Sequence, residues 1–240
     1  MNARTVPLTL RQNRALAAIV QHRAMPIDVL ADFLGCGSSH VYETAAALRR
    51  LGLARELTQL TAGPKWVVPT RSAVTRYFGQ SLPDWTPSSL WSIRGRAAAE
   101  ARVLLGATDF DAWTGERELS LERTDRGPYP YDGLMVRTSN PFALRTARGT
   151  ASPVWAVRTD IARTSNPRQL AQALTRTVGQ AEQDGCTSVL WVCTGAHRPE
   201  TVYRTAEHIR SDLTLTATTP GELAGTHRRI RPVRDLPKGA

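Results

Sequence analysis

Ile27, Leu30, Ala31 and Leu34 fall at i, i+3, i+4 and i+7, and Gly35-Cys36-Gly37 follows directly. An apolar stripe at that spacing is one face of a short helix, and two glycines around one residue turn the chain sharply. Little else can follow such a turn but a second element packed back on the first. Ser38 is placed to cap one, with Val41, Ala45 and Leu48 as its inner face, Leu51 closing it and Gly52 as its terminating residue. Upstream, Thr9 caps a longer helix carrying Leu10, Leu16, Ile19 and Val20, which runs to about Ala24 and stops before Pro26. Helix, short helix, glycine turn, helix is the helix-turn-helix plan.

Leu53–Leu57 and Trp66–Pro69 then predict two short strands around the turn Thr61-Ala62-Gly63-Pro64-Lys65. Three helices and a hairpin make a winged helix. Leu48-Arg49-Arg50-Leu51-Gly52-Leu53-Ala54 resembles the "L-x-x-L-G-L-V" end of recognition helices in many bacterial winged-helix proteins. The outward side of the third helix offers Ser38, Ser39, His40, Tyr42, Glu43, Ala46, Arg49 and Arg50. Small polar and aromatic groups near its start suit base edges in a major groove. Arg49, Arg50 and, at the hairpin tip, Lys65 suit phosphates.

Charge supports that assignment. The chain has 240 residues and a formal net charge of +10. Residues 1–78 hold 10 basic and 4 acidic side chains, residues 79–225 hold 16 of each, and residues 226–240 hold 5 and 1. Only Lys65 and Lys238 are lysines, a compositional bias that leaves the scarcity of acids in the first third unexplained. A cationic domain and a cationic tail, with Arg228, Arg229 and Arg231, bracket a neutral middle, the pattern of a nucleic-acid partner.

The middle predicts an α/β domain. After a short helix at 71–78, the breaker-rich stretch Gly79–Pro87 marks a linker, and we place domains at 1–78 and 89–225 with a linker at 79–88 and the tail at 226–240. A helix over 89–105 precedes strands near Phe110–Trp113, Leu134–Val136 and Val154–Ile161. A helix over 167–178, a buried strand over 187–193, a helix over 199–209 and a strand over 213–217 complete it. The order α-β-β-β-α-β-α-β implies a mixed sheet flanked by helices, α/β locally and α+β for the whole chain. It also matches the core of the restriction-endonuclease-like, or PD-(D/E)XK, fold.

Trp113-Thr114-Gly115-Glu116-Arg117-Glu118-Leu119 is similar to a "W-x-x-E-R-E-L" motif, and Tyr131-Asp132-Gly133-Leu134 to a "P-D-G-L" motif. Trp155–Thr164 stands where "A-I-E-V-E-L-x-x-K" is expected. In these motifs and in domain order the chain resembles the replication-relaxation family of actinobacterial plasmids and integrative elements. The resemblance implies a winged helix followed by a degenerate nuclease-like domain. A working nuclease of that fold holds Mg²⁺ with carboxylates at adjacent strand ends. Asp132 and Asp160 match two such positions, and Glu116 and Glu118 stand upstream as further acids. Arg158 occupies the place of the central acid, a cation where a cation must bind, with Asp132 or Asp160 as its expected partner.

These readings lead to a sequence-specific double-stranded DNA-binding protein of a mobile element, serving plasmid replication, transfer or transcriptional control. It would be a homodimer without a cofactor, with a protein partner also open to the α/β domain. A Mg²⁺-dependent endonuclease and a winged-helix protein adaptor stay open as alternatives. No G-x-x-x-x-G-K-[ST], G-x-S-x-G or H-E-x-x-H motif occurs. Cys36, Cys186 and Cys193 have no C-x-x-C spacing, and neither an apolar leader nor a membrane-length apolar run is present, so a cytoplasmic protein is expected. Trp155, Trp191 and Cys193 are expected in the core. His197 and His208 are expected to be exposed, and Trp85 and Trp91 to dock the two domains.

Overall fold

The computed structural model describes residues 7–83, 85–109, 111–121, 129–136 and 154–225, together with the backbone of 234–235. The chain forms two compact units. The first takes in the chain up to Ala99 with Thr108 and Asp109, and the second runs from Glu100 onward.

In the first unit, α1 (Leu10–Gln21) opens with a capping box: Thr9 Oγ1 accepts from the Gln12 amide, and the Gln12 side chain accepts from that of Thr9. The helix ends earlier than predicted. His22 caps it, and Arg23 takes a left-handed φ of 65° that turns the chain into β1 (Met25–Pro26). Next come α2 (Ile27–Leu34) and α3 (Ser38–Arg50), with Gly35 between them at φ 64°. Most of the apolar stripe is as expected: Ile27, Leu30 and Ala31 are buried, as are Val41, Ala45 and Leu48, while Leu34 is half-buried and the stripe's outlying members Leu10 and Leu51 are exposed. The α3 cap is Gly37 rather than Ser38, which is the first helical residue. With no cap hydrogen bond from a side chain, the serine hydroxyls remain on the surface.

The predicted hairpin is shorter than two strands. Residues Leu53–Leu57 form no continuous strand; the pairing reduces to bridges Ala54–Pro69 and Thr58–Trp66, with the Arg55 amide donating to Val68. The regular partner of β2 (Trp66–Val67) is β1, antiparallel. The Gln59 amide closes the turn by donating to the carbonyls of Thr61 (2.6 Å) and Gly63 (2.7 Å). α4 (Arg71–Phe78) is capped by Thr70, and α5 (Ser89–Leu104) follows. Trp85 and Trp91 pack edge-on with each other and Trp91 against Trp66, all within this unit, and Arg96 holds Asp28 of α2 bidentately at 3.2 and 2.5 Å.

The second unit is a mixed sheet with helices on both faces. β3 (Trp113–Gly115), β4 (Gly133–Val136) and β5 (Val154–Asp160) run antiparallel in sequence; β6 (Ser188–Cys193) is parallel to β5, and β7 (Thr214–Thr218) to β6. β8 (Arg234–Asp235) adds antiparallel to β7. Parallel neighbours need crossovers, supplied by α7 (Pro167–Gln183) and α8 (Pro199–Ala206). Several predicted boundaries move: α7 runs past 178 to Gln183, and α8 stops at Ala206, short of 209. The strand expected at Phe110–Trp113 is β3, and Phe110 lies outside the described residues; Glu116–Leu119 forms a helical turn, α6. A last helix, α9 (Pro220–Gly225), follows β7.

Alternation along β6 shows why its run is apolar throughout. Val189, Trp191 and Cys193 face Leu170, Leu174 and Val178 of α7 and Val202 of α8, while Leu190 and Val192 face Ala101, Trp113 and Leu223. Trp191 and Cys193 are buried as expected, and Trp155 is partly buried against the second of these clusters.

Candidate functional site

Two groups of residues carry the site expectations. On α3, burying Val41, Thr44, Ala45 and Leu48 forces the opposite side outward. Ser38, Ser39, His40, Tyr42, Glu43, Arg49 and Arg50 are all exposed, and so is Lys65 beside the 59–65 turn. His40 Nδ1 lies 3.3 Å from Glu43 Oε2, one helical turn on. Arg49 is not simply extended into solvent: Nη1 donates to Glu56 Oε2 on the following segment. Both partners are well exposed, so water and salt screen the pair and it holds Arg49 loosely. Arg228, Arg229 and Arg231 lie outside the described residues.

The acids of the second unit are brought to strand ends but committed elsewhere. Asp132 stands just before β4 and is buried; its Oδ2 accepts from the Thr159 amide at 2.6 Å and from the Thr159 hydroxyl at 2.8 Å. Asp160, the last residue of β5, accepts from the Ala162 amide through Oδ1 at 3.1 Å. Its Oδ2 lies 2.6 Å from His197 Nδ1. Thr159 and Asp160 are consecutive on a strand, so their side chains leave opposite faces of the sheet. Glu116 and Glu118 sit half-buried on α6.

Arg158 has partners that the sequence did not suggest. Its Nη1 donates to the Pro130 carbonyl, and the guanidinium lies over the Trp191 ring, 5.1 Å from its centroid. This departure from the nuclease pattern has a structural use: the cation ties the entry to β4 onto β5 and β6. A divalent metal requires several hard oxygens turned to one point. Oxygens of Asp132 and Asp160 are already engaged by protein donors, and among the described residues no group of three or more His, Cys, Asp or Glu is placed to hold an ion. The residues do not fit Mg²⁺.

His197 is the residue that sequence reasoning missed. Expected at the surface, it is 5% exposed, in the segment between β6 and α8. Nδ1 is held by Asp160, and Nε2 is buried without a hydrogen-bond partner. Gly195 makes the approach possible. A Cβ there would stand 2.3 Å from the Ala162 carbonyl oxygen, and the Ala196 amide donates to that same oxygen at 2.6 Å. The available signal was topological: Asp160 ends one strand and His197 follows the end of another, and the two strands were predicted to lie in one sheet. His208 is exposed as expected.

Neighbouring thiols are chemically quiet. Burial pushes the Cys193 thiol up to about 12, and the negative charges of Asp160, Glu222 and Glu200 act in the same direction. A thiol kept protonated is neither a nucleophile nor a metal ligand.

Comparisons of the chain with protein-family models, curated proteins and solved structures find no match. No described helix is long and apolar enough to cross a membrane.

Proposed function

We propose that the chain binds double-stranded DNA in a sequence-specific way through α3, the first unit acting as a winged helix and the second as a restriction-endonuclease-like fold without catalysis. The observation that carries this reading is the outward side of α3. It carries exposed polar and aromatic side chains over Ser38–Glu43 and two exposed arginines at its end, on a helix whose other side is committed to the core. A helix so placed presents its first turns to base edges and its Arg-bearing end to phosphates. The order helix, strand, helix, helix, hairpin, with β1 paired to the hairpin's second arm, supports the winged-helix reading. The excess of basic over acidic side chains in residues 1–78 supplies the attraction.

The second unit supports a binding role because its acids are committed to backbone amides and to His197. It would position the DNA, a protein partner or a second copy, and the homodimer would match a two-fold DNA site. The setting is the cytoplasm, and the process one of plasmid replication, transfer or transcriptional control.

Fluorescence anisotropy with duplex DNA tests this. The wild type binds with an affinity that falls steeply with salt, and Arg49→Ala/Arg50→Ala weakens it on every sequence. Binding that ignores both salt and the double substitution rules the reading out.

A further inference from the structure

Resting on that reading, we infer that Glu43 determines specificity and reads the amino group of a cytosine. Among the candidate contact residues of α3, Glu43 is the one anion, and its side chain is 72% exposed. It stands amid Ser39, His40, Tyr42, Arg49 and Arg50 on the side that would meet the polyanion. A carboxylate there is repelled by every phosphate, so it weakens non-specific binding and is tolerable only where a base gives it a donor. Carboxylates accept hydrogen bonds and cannot donate.

The donors in the major groove are the amino groups of cytosine and adenine. Adenine flanks its amino group with acceptors on both sides, its own N7 and the O4 of its thymine partner. Cytosine has an acceptor on one side only, the O6 of its guanine partner; on the other side lies the C5 hydrogen. A two-oxygen acceptor therefore fits cytosine with less repulsion. His40, one turn back, stands 3.3 Å from the Glu43 carboxylate in an exposed contact that leaves its oxygens open to a base.

Glutamine provides a sharp test, because its amide both donates and accepts and pairs bidentately with adenine. Duplexes selected from a random pool are compared for wild type, Glu43→Gln and Glu43→Ala, with melting curves showing that the exposed substitutions leave the fold intact. Wild type is expected to select cytosine at one position by about tenfold over other bases. Glu43→Gln moves that position to adenine and keeps the rest of the site, and Glu43→Ala loses discrimination there. A uniform gain in affinity with unchanged base preference would show a merely repulsive charge and overturn the inference. Wild-type binding without sequence preference overturns it too, yet leaves the DNA reading standing. Absence of any duplex binding by the wild type removes both.

Discussion

Asp132 is held by the two donors of Thr159, and this gives its substitution a signature unlike that of a metal ligand. Asp132→Ala leaves a buried amide and hydroxyl without their acceptor. A loss of about 2–3 kcal/mol is expected, read as a lower urea midpoint with or without Mg²⁺. Thr159→Val removes only the hydroxyl bond and costs about 1 kcal/mol. Gly195→Ala forces backbone apart where β5 and β6 end and lowers the Tm by several degrees. The sequence exposes residue type and strand position, which is why Asp132 and Asp160 were legible as strand-end carboxylates. Their partners were not. Thr159 donates through its backbone as well as its side chain, and His197 lies 37 residues beyond Asp160.

At the scale of elements, α3 separates stability from binding. The Arg49–Glu56 pair is exposed, so Arg49→Ala/Arg50→Ala changes folding free energy by no more than about 1 kcal/mol. The same change weakens DNA binding and reduces the slope of log affinity against log salt by about two. Chemical denaturation and salt-dependent anisotropy on one protein sample check both halves. Helix periodicity made α1, α2 and α3 legible because their apolar stripes are strict. The segment after α3 was legible in place but not in form. A hairpin held by bridges, with its second arm paired to Met25–Pro26, depends on a contact across forty residues that no local pattern encodes. Arg158 illustrates the opposite case: a cation on the strand before Asp160 was plain in the sequence, but its bond to the Pro130 carbonyl was not.

Across the whole molecule, the buried thiols report on the fold. Burial, together with the Asp184 charge, pushes Cys186 up to about 11, as burial and neighbouring carboxylates push Cys193 to about 12. Burial raises the Tyr131 hydroxyl as well, and its bond to Asp184 reinforces the shift. An unfolded thiol ionises near 9, so between pH 9 and 12 the unfolded chain has shed protons that the folded chain keeps. Unfolding becomes easier as pH rises through that window. The urea midpoint falls above pH 9, and Cys193→Ala makes the fall shallower. In native protein at pH 8 an alkylating reagent modifies Cys36, which is partly exposed, well before Cys186 and Cys193, and denaturant abolishes the difference. At this scale the mixed sheet of the second unit was legible, since strands alternating with helices after a hairpin-like start imply one; the order of the strands across it was not. The breaker-rich stretch at 79–88 reads as a linker, and α5 follows it; as far as Ala99 that helix lies with the first unit, secured there by Arg96–Asp28 and Trp91–Trp66.

The two ends of the sheet differ in how they are guarded. β3 is three residues long, too short to offer another chain a useful template. β7 is longer, and its Thr214 and Leu215 are occupied by Asp235 and Arg234 of β8. β8 thus covers the start of the outer edge of β7. A chain cut after Gly225 keeps every helix described here yet bares that edge at Thr214 and Leu215. Such a truncation is expected to self-associate more than the full chain, visible as concentration-dependent light scattering.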